Sequence, residues 1–337
     1  MLTSDYDYDL PEELIAQHPL PRGESRLLIL HKSTGKIEHR MFPDILEYLA
    51  PNDLMILNDT RVSGRRFIAK RNGGGAAEVF LLSQLNETTW KSLVRPGSKL
   101  RDGATVVLDF GDKMAAVEII STTDDGGRIV QFQNLEDAQV AGTRGHIPLP
   151  PYIHTALLDE ERYQTIYSRQ NGSAAAPTAG LHFTDEVLKS VQAIGVELAT
   201  VTLNVGIDTF RPVKVDDPAN HVMHGESYDI PHTTVAAVGD CPGKIVCVGT
   251  TTVRATESGA SSYRELRAGP AETNLFITPG YSFKVADAIL TNFHQPKSTL
   301  LMMVSAFAEL GNIKEAYHEA IENNYRFFSF GDAMLII

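Results

Sequence analysis

The chain has few cysteines and no long apolar run. Only Cys241 and Cys247 occur among 337 residues, which argues against a disulfide framework and excludes a self-contained cysteine-ligated iron–sulfur cluster. No apolar stretch is long enough to span a bilayer, and the acidic first residues differ from the basic and then apolar pattern of a secretory signal. We therefore expect no membrane segment, no secretory leader and a cytoplasmic location.

Basic residues are also scarce relative to acidic ones. Lysine and arginine number 30 against 42 aspartates and glutamates, which gives a formal net charge of −12. General nucleic-acid binders neutralise many phosphates with lysine and arginine, so this balance of charges argues against that class of protein. A local basic face remains compatible with it. The length and the 43% of hydrophobic residues predict one to two domains with a sizeable core.

The standard cofactor and hydrolase signatures are missing. The sequence contains no G-x-G-x-x-G, no G-x-x-x-x-G-K-[ST] and no G-x-S-x-G, which disfavours a classical dinucleotide fold, a P-loop NTPase and a serine hydrolase. The segment HVMHGE at residues 221–226 offers metal ligands, but its spacing matches none of the standard helical zinc signatures. We therefore predict no metal site.

The most distinctive segment that is present reads GSAAAPTAGLHFT at residues 172–184. Small residues expose backbone N–H groups, and a helix pattern with an acidic start follows over residues 185–194. A loop of this kind at a helix N-terminus suits an anionic or carboxylate-bearing ligand. An ordinary structural loop is the alternative interpretation.

Polar loops recur after the predicted strands of the second half. Strands are predicted at residues 54–57, 196–203, 244–248 and 288–290, and helical patterns at residues 253–257 and 299–310. This alternation predicts a largely parallel sheet, and loops at the carboxyl ends of such strands are where open α/β sheets bind ligands. The loops at residues 204–210, 249–252 and 291–298 are therefore predicted to form one cleft.

The first half contains a different pattern, with short β-compatible runs separated by turns. The runs cover residues 65–69, 77–82, 90–94, 105–109, 115–120 and 129–132. They predict a small antiparallel barrel or sandwich without a helix, while helical patterns lie in the two flanks. The predicted fold is an α/β domain with a largely parallel sheet, formed by residues 1–61 and 152–337, into which residues 62–151 insert an antiparallel β-barrel domain.

Nine segments resemble, in the same order and from one end of the chain to the other, the S-adenosylmethionine:tRNA ribosyltransferase-isomerase family of queuosine biosynthesis. They are YDLPEELIAQHPLPRGESRLL (8–28), NDTRV (58–62), RPG (95–97), PLPPYI (148–153), ERYQTIYS (161–168), APTAGLHFT (176–184), VGTTTVRATE (248–257), TNFHQPKSTL (291–300) and YRFFSFGDAMLI (325–336). Several are long enough to be highly specific. The resemblance implies an α/β domain with an inserted β-barrel, which agrees with the pattern described above.

The resemblance also implies a reaction. The ribosyl part of S-adenosylmethionine passes to the aminomethyl group of 7-aminomethyl-7-deazaguanine at the wobble position of tRNA, which gives epoxyqueuosine and releases adenine and methionine. The implied partners are this tRNA and S-adenosylmethionine, which is a co-substrate and not a prosthetic group. We expect a cytoplasmic monomer with no obligate protein partner.

This chemistry needs a base for the proton next to the sulfonium, help for the departing adenine and a neutral attacking amine, tasks that suit His, Asp and Glu. The candidate catalytic residues are His182, His294, Asp59, Glu226 and Asp332. The candidate substrate-binding residues are Arg61, Arg162, Arg254, Thr178, Ala179, Gly180, Leu181, Thr250, Thr251, Asn292 and Phe293. The arginines suit a carboxylate or phosphates, residues 178–181 offer backbone donors, and Asn292 and Phe293 suit a base. An Asp–Arg pair that only fixes a loop is the alternative for Asp59 and Arg61.

The two histidines are the favoured catalytic candidates, because histidine is suited to proton transfer near neutral pH. One segment departs from the family pattern LHVGxGTF, since Asn204 stands where the family has histidine and Asp208 where it has glycine. Asparagine cannot act as a base. Either this position only forms hydrogen bonds or the proton is handled elsewhere, and neither residue belongs to the candidate set.

A tRNA substrate requires a local basic patch on this acidic chain. Arg66, Lys70 and Arg95 are the candidate tRNA-binding residues, within a wider group of Arg65, Arg71, Lys99 and Arg101. Solvated strand ends are the alternative interpretation.

Two other function classes remain open from the residues alone: a non-catalytic RNA-binding protein and an S-adenosylmethionine-dependent methyltransferase of unusual fold. Their products differ, because only the transferase-isomerase releases adenine and methionine, whereas a methyltransferase releases S-adenosylhomocysteine.

Overall fold

The structure is a computed structural model that describes residues 1–123, 126–206, 209 and 212–337. The chain forms two compact units. The first contains residues 1–60, 150–170 and 176–337, and the second contains residues 61–149 and 171–175.

The strands are β1 (Arg26–Leu30), β2 (Ile37–Met41), β3 (Leu54–Asn58), β4 (Thr60–Val62), β5 (Arg65–Arg71), β6 (Ala76–Gln84), β7 (Thr89–Arg95), β8 (Thr105–Asp109), β9 (Met114–Thr122), β10 (Arg128–Phe132), β11 (Gln170–Ser173), β12 (Glu197–Leu203), β13 (Glu226–Ile230), β14 (Ile245–Val248), β15 (Ala260–Ser262), β16 (Glu265–Leu266), β17 (Gly269–Thr273), β18 (Ala288–Asn292) and β19 (Ala333–Ile336). The α-helices are α1 (Leu135–Thr143), α2 (Asp185–Ala193), α3 (His232–Asp240), α4 (Thr250–Gly259), α5 (Thr299–Ala308) and α6 (Leu310–Glu322).

The first unit contains a nine-stranded sheet in the order β17-β13-β12-β3-β14-β18-β19-β1-β2. Strands β12, β3, β14 and β18 run parallel to their neighbours within this group, so their carboxyl ends lie at one edge. Antiparallel strands flank the group, because β13 pairs antiparallel with β12 and β19 pairs antiparallel with β18. The predicted α/β class with parallel central strands is confirmed.

Both faces of the central sheet are covered. Every residue of β3, β14, β18 and β19 is buried, as expected for strands with apolar layers on both sides. Leu28 and Leu30 of β1 pack with α5 and α6, while the alternate residues Leu27 and Ile29 pack with α2 on the opposite face. The sheet therefore holds the loops at its carboxyl edge on a rigid base.

Two helix predictions for this unit are wrong. The helix expected over residues 299–310 ends at Ala308, because Glu309 has a φ of +66° and only then does α6 begin. The flank of residues 1–61 contains no α-helix; instead it has 3-10 turns at Thr3–Tyr6, Glu12–Leu14 and Phe42–Tyr48. Frequent prolines in this flank interrupt helical hydrogen bonding.

The second unit contains a closed barrel with the strand order β10-β7-β6-β5-β8-β9. All six predicted strands are confirmed, and all their pairings are antiparallel. Alternate residues such as Phe67, Val79 and Leu81 fill the barrel interior. Helix α1, which the sequence did not predict, packs Ala138 and Ala141 against the same core.

Candidate active site

The loops at the carboxyl edge of the parallel strands enclose a cleft with about 600 Å³ of empty volume. Its walls come from residues 176–179, from Val205 and Thr209 after β12, from residues 249–251 after β14 and from residues 291–295 after β18. The prediction that three polar loops form one cleft is therefore confirmed for the described residues.

Asn58 joins the elements that carry two of the cleft loops. Its Nδ2 donates to the carbonyl of Leu203 and to Oγ1 of Thr251, each at 3.1 Å, and its Oδ1 accepts from the backbone N–H of Leu203 at 3.0 Å. One buried amide thus joins the ends of β3 and β12 to the start of α4. Gly249, with a φ of +89°, makes the turn that presents Thr250 and Thr251 at the helix N-terminus.

Asn292 separates the cleft from the buried His182. Its Nδ2 lies 3.2 Å from Nε2 of His182, 3.1 Å from the carbonyl of Phe328 and 3.5 Å from the carbonyl of Asp332. Because backbone carbonyls only accept hydrogen bonds, these contacts fix the orientation of the amide. The Oδ1 atom is buried and has no partner among the described residues, although Asn292 lines the cleft. A buried acceptor left in this way is available to a ligand.

Phe328 adds backbone strain beside Asn292. Its φ is +70°, which is unfavourable for a residue with a bulky side chain, and its carbonyl accepts from the Asn292 amide and from the backbone N–H of Gly331 at 3.0 Å. The next residue, Ser329, shares a 2.7 Å hydrogen bond with the hydroxyl of Tyr152. Phe328, Ser329 and Tyr152 all line the cleft.

His294 lines the cleft directly. Its Nε2 is 2.8 Å from Oγ1 of Thr291, and this hydroxyl donates to the carbonyl of Asn292 at 3.2 Å. The Nδ1 atom takes no part in this contact, and when Nε2 carries the ring proton Nδ1 has a lone pair. Burial lowers the pKa of His294 from 6.5 to about 3, so the imidazole is neutral near neutral pH.

Phe293, predicted to stack on a base, has most of its ring in an aromatic cluster. Its centroid lies 5.3 Å from that of Tyr317 and 4.8 Å from that of Phe327, and only 1% of the residue is exposed. It also belongs to the cleft wall. Its contact with a base stays a prediction.

His182 lies behind Asn292 and outside the cleft wall. Since Nε2 accepts from the Asn292 amide, Nδ1–H donates to Oγ of Ser25 at 2.8 Å. Burial, followed by the charges of Arg162, Arg22 and Arg326, lowers the pKa of His182 to about 3. This neutral imidazole positions Asn292, and its predicted catalytic role stays a prediction.

The turn at residues 178–182 divides the predicted backbone donors into two groups. Thr178 and Ala179 line the cleft. Gly180 instead donates its N–H to the carbonyl of Pro177 at 2.9 Å, and the carbonyl of Leu181 accepts from Arg22 at 2.8 Å. The N–H of Gly180 is thus committed within the turn, and Leu181 faces a second, smaller cavity that Arg162 also lines.

Glu226 and Arg254 form a buried ion pair next to the cleft. The Arg254 guanidinium donates to Oε2 of Glu226 at 2.7 Å, and Oε1 accepts from the backbone N–H of Gly206 at 2.9 Å and from Thr209 at 3.0 Å. Burial opposes ionisation of this carboxyl, but hydrogen bonding from His224 and the charge of Arg254 lower its pKa overall. The carboxylate is therefore ionised and holds the loop after β12.

Asp59 and Asp332 lie outside the cleft wall. Asp59 accepts from Thr202 at 2.7 Å, and burial raises its pKa. Asp332 accepts backbone N–H groups of Arg26 at 2.8 Å and of Arg326 at 2.9 Å, so it joins β1 to the segment before β19. The structure gives both carboxylates a positioning contact, and their catalytic roles stay predictions.

Asn204 forms hydrogen bonds to two neighbouring segments. Its Oδ1 accepts from the hydroxyl of Thr60 at 2.8 Å, and its Nδ2 donates to Oγ of Ser227 at 3.2 Å. These contacts favour the alternative in which this position only forms hydrogen bonds. Asp208 lies outside the described residues.

The candidate tRNA-binding residues lie in the second unit. Arg66 and Lys70 are exposed on β5 and Arg95 on β7, and β6 lies between these two strands. Glu78 of β6 accepts from Arg66 at 2.6 Å, which neutralises part of this surface. Arg61, a predicted substrate ligand, lies in β4 of the same unit.

Among the residues that the structure describes there is neither a cluster of metal-binding side chains nor a helix that could span a membrane. No group of three or more His, Cys, Asp and Glu side chains is placed to hold a metal ion, and no helix is long and apolar enough to cross a membrane.

The sequence did not single out Tyr152, Thr291, Phe328 and Ser329 as site residues. All four belong to segments that carry the family resemblance, but no residue type among them signals chemistry. The unusual φ of Phe328 has no signature in the sequence.

Comparison with known proteins places the chain among its relatives. A family model described as "Queuosine biosynthesis protein" matches residues 3–336. A protein of Symbiobacterium thermophilum named S-adenosylmethionine:tRNA ribosyltransferase-isomerase is 50% identical over 348 residues, which cover 100% of both chains. A protein of the same name from Clostridioides difficile is 47% identical over 342 residues, again covering 100% of both chains.

A solved structure is similar as well. The crystal structure of S-adenosylmethionine tRNA ribosyltransferase from Thermotoga maritima aligns with a TM-score of 0.56 and 38% identity, covering 99% of this chain and 100% of that one. The resemblance inferred from the sequence is confirmed. With nearly every residue inside the family match, the chain belongs to the queuosine biosynthesis protein family, whose relatives carry the name S-adenosylmethionine:tRNA ribosyltransferase-isomerase.

Proposed function

We propose that this chain is an S-adenosylmethionine:tRNA ribosyltransferase-isomerase. It transfers and isomerises the ribosyl part of S-adenosylmethionine onto 7-aminomethyl-7-deazaguanine at the wobble position of tRNA. The products are epoxyqueuosine in tRNA, adenine and methionine. Full-length similarity to relatives of that name supports the assignment. The structural observation that carries it is the buried Oδ1 of Asn292. This residue lines the cleft, and its Oδ1 has no hydrogen-bond partner among the described residues.

S-adenosylmethionine occupies the cleft in this proposal. Thr250 and Thr251 at the N-terminus of α4 face the methionine carboxylate, because the N-terminal end of a helix attracts negative charge. Asn292 Oδ1 accepts a hydrogen bond from the exocyclic amine of adenine, which orients the leaving base. Thr178 and Ala179 contribute the opposite wall.

His294 is the proposed proton acceptor. In the tautomer with the proton on Nε2, the Nδ1 lone pair is left to accept a proton, and burial keeps the ring neutral across the physiological range. The positive sulfur acidifies the neighbouring C–H group, and in this proposal His294 removes that proton. The Glu226–Arg254 pair and Asp59 hold the surrounding loops, and His182 holds Asn292.

The proposal includes the finer features expected from the sequence. The enzyme is a cytoplasmic monomer without a prosthetic group, and its α/β domain of residues 1–61 and 152–337 carries the cleft. Residues 62–151 form the inserted domain, whose exposed Arg66, Lys70 and Arg95 contact tRNA.

The test is a product analysis. The protein is incubated with S-adenosylmethionine and tRNA that carries the aminomethyl deazaguanine, and small molecules and digested nucleosides are measured by mass spectrometry. Adenine, methionine and an epoxy-cyclopentyl nucleoside are expected together. S-adenosylhomocysteine would instead indicate a methyltransferase, and bound but unchanged tRNA would indicate a binding protein.

A further inference from the structure

A second cavity lies next to the cleft in the first unit. It has about 280 Å³ of empty volume, and its wall includes Arg22, Arg162, Ser25, His182 and Ser329. Ser329 belongs to both cavities, and the His182–Asn292 hydrogen bond runs from one to the other. The reaction proposed above leaves this cavity without a role.

The arginines of this cavity donate hydrogen bonds to backbone carbonyls. Arg22 donates to the carbonyls of Leu181 at 2.8 Å and Gln164 at 2.6 Å, and Arg162 donates to the carbonyl of Leu20. Carbonyls orient a guanidinium but leave its positive charge in place. Among the described residues that line the cavity there is no carboxylate, although Asp159 and Glu161 lie close enough to influence Arg22 electrostatically.

Two further observations indicate a missing anion. Nη1 of Arg162 is buried and has no hydrogen-bond partner among the described residues. Partial burial, followed by the charge of Arg162, lowers the pKa of Arg22 to about 10, so the two half-buried guanidinium groups disfavour each other's charge. An anion between them would supply the missing acceptor and reduce the repulsion.

The hydroxyls favour a tetrahedral oxyanion. Since Ser25 accepts from Nδ1–H of His182, its own hydroxyl proton is left to donate. Together with Nη1 of Arg162, this hydroxyl places donors on more than one side of the cavity, whereas a planar carboxylate is satisfied by one guanidinium fork.

We propose that the Arg22–Arg162 cavity binds a phosphate group, and that during catalysis this group is a backbone phosphate of the tRNA near the modified nucleotide. The second part rests on the proposed function. A chain of net charge −12 repels RNA overall, so a local pair of arginines beside the cleft gives the backbone a point of attachment. An anion there would also raise the pKa of His182, because it would offset the arginine charges that help to lower that pKa.

The first arm of the test needs no turnover. Binding of inorganic phosphate is followed by ³¹P line broadening for the wild type, Arg162→Gln and the control Lys189→Gln, which removes an exposed charge on α2. We expect Arg162→Gln to raise the Kd by about tenfold or more, the effect of losing a charge-assisted hydrogen bond, and the control to leave it unchanged. Arg162→Lys keeps the charge and should lie between them. Equal Kd values for the wild type and Arg162→Gln would overturn the site.

The second arm measures KM for each substrate by adenine release. Arg162→Gln should raise KM for tRNA about tenfold while KM for S-adenosylmethionine stays within about twofold, and inorganic phosphate should compete with tRNA. Competition with S-adenosylmethionine alone would overturn the proposal in favour of a carboxylate. Phosphate that binds without competing with tRNA would overturn the backbone source. Absence of adenine from every variant would contradict the proposed function but leave the first arm decisive.

Discussion

The side chain of Asn292 connects the cleft to the buried residues behind it. Its amide nitrogen is held by His182 and Phe328, and this leaves its oxygen as the atom offered to a ligand. At this scale the orientation of one amide decides whether the cleft presents a donor or an acceptor. His182 contacts this amide directly, and burial keeps both His182 and His294 neutral near neutral pH.

Replacing Asn292 should lower activity in a graded way. Asn292→Ala removes the free acceptor, and we expect kcat/KM for adenine release to fall about tenfold, the effect of one neutral hydrogen bond. Asn292→Asp should lose more, because a carboxylate oxygen would face the carbonyl of Phe328. The exposed Asn220→Ala serves as the control. Full activity of Asn292→Ala would contradict the assignment.

The buried histidines should make stability depend on pH. Their pKa is about 3 when folded and near 6.5 when unfolded, so between these values the unfolded chain binds more protons. Stability contributed by each neutral imidazole is therefore full above pH 6.5 and is lost as the pH falls, by up to about 1.4 kcal/mol per pH unit.

Urea unfolding at several pH values measures this effect. His294→Gln should show a flatter loss of unfolding free energy between pH 6.5 and 4 than the wild type does. The control His318→Gln changes an exposed residue of α6 and should keep the wild-type slope. A wild-type slope in His294→Gln would count against a depressed pKa.

Residue types alone predicted this site only in part. The loops that carry Thr250, Asn292 and His294 were found from polar residues at strand ends, and the loop that carries Thr178 from its small residues before a helix; these four residues line the cleft. His182 was chosen for its titration near neutral pH, yet burial and neighbouring arginines determine its protonation. Those effects come from residues distant in sequence, so the local pattern cannot show them.

At the scale of elements, the turn at residues 178–182 depends on a missing side chain. A Cβ on Gly180 would lie 2.0 Å from the hydroxyl oxygen of Tyr167 and 2.7 Å from Cγ2 of Thr165. Both neighbours are buried, so neither can move into open space. Glycine is required here for close approach and not for an unusual φ.

Gly180→Ala should destabilise the protein by about 1–3 kcal/mol, the usual effect of overpacking. The measurement is the free energy of unfolding in urea. The control Gly239→Ala adds a methyl group to α3 where nothing lies within 4 Å, and it should be neutral or stabilising. Tyr167→Phe should recover part of the loss in the double variant. No loss in Gly180→Ala would contradict this packing.

Strands were predicted better than helices for a physical reason. The barrel strands alternate buried and exposed residues, and residues 54–57 of β3 and all of β14 form short apolar runs, so local patterns identify them. Helix α1 is polar and short, and only two of its residues are buried. The break between α5 and α6 occurs at Glu309, whose φ is +66°, and the apolar pattern of the sequence does not reveal it.

At the scale of the whole molecule, an acidic chain has to bind an acidic substrate. The net charge of −12 leaves local groups of basic residues to make the contacts. On the barrel, Lys70 and Arg95 are exposed, whereas Arg66 shares its charge with Glu78. Composition predicted that a patch was needed, but the strand order was required to place Lys70 on β5 and Arg95 on β7, with β6 between them.

Removing the basic patch should weaken the salt dependence of tRNA binding. For Lys70→Gln with Arg95→Gln, the slope of log K against log salt should decrease in magnitude by about one for each lost phosphate contact. Lys113→Gln is the matched control, because Lys113 already pairs with Glu136 and Asp137 on the same barrel. An unchanged slope in the double variant would remove tRNA binding from this surface.

The measurement that tests the central claim most directly uses S-adenosylmethionine labelled with ¹³C either in the ribose or in the methyl group. The digested tRNA and the released small molecules are analysed by mass spectrometry. The account predicts that the ribose label enters the modified nucleoside while the methyl label leaves in methionine. A methyl label in the tRNA, or ribose label that remains with released nucleoside products, would contradict ribosyl transfer by this chain.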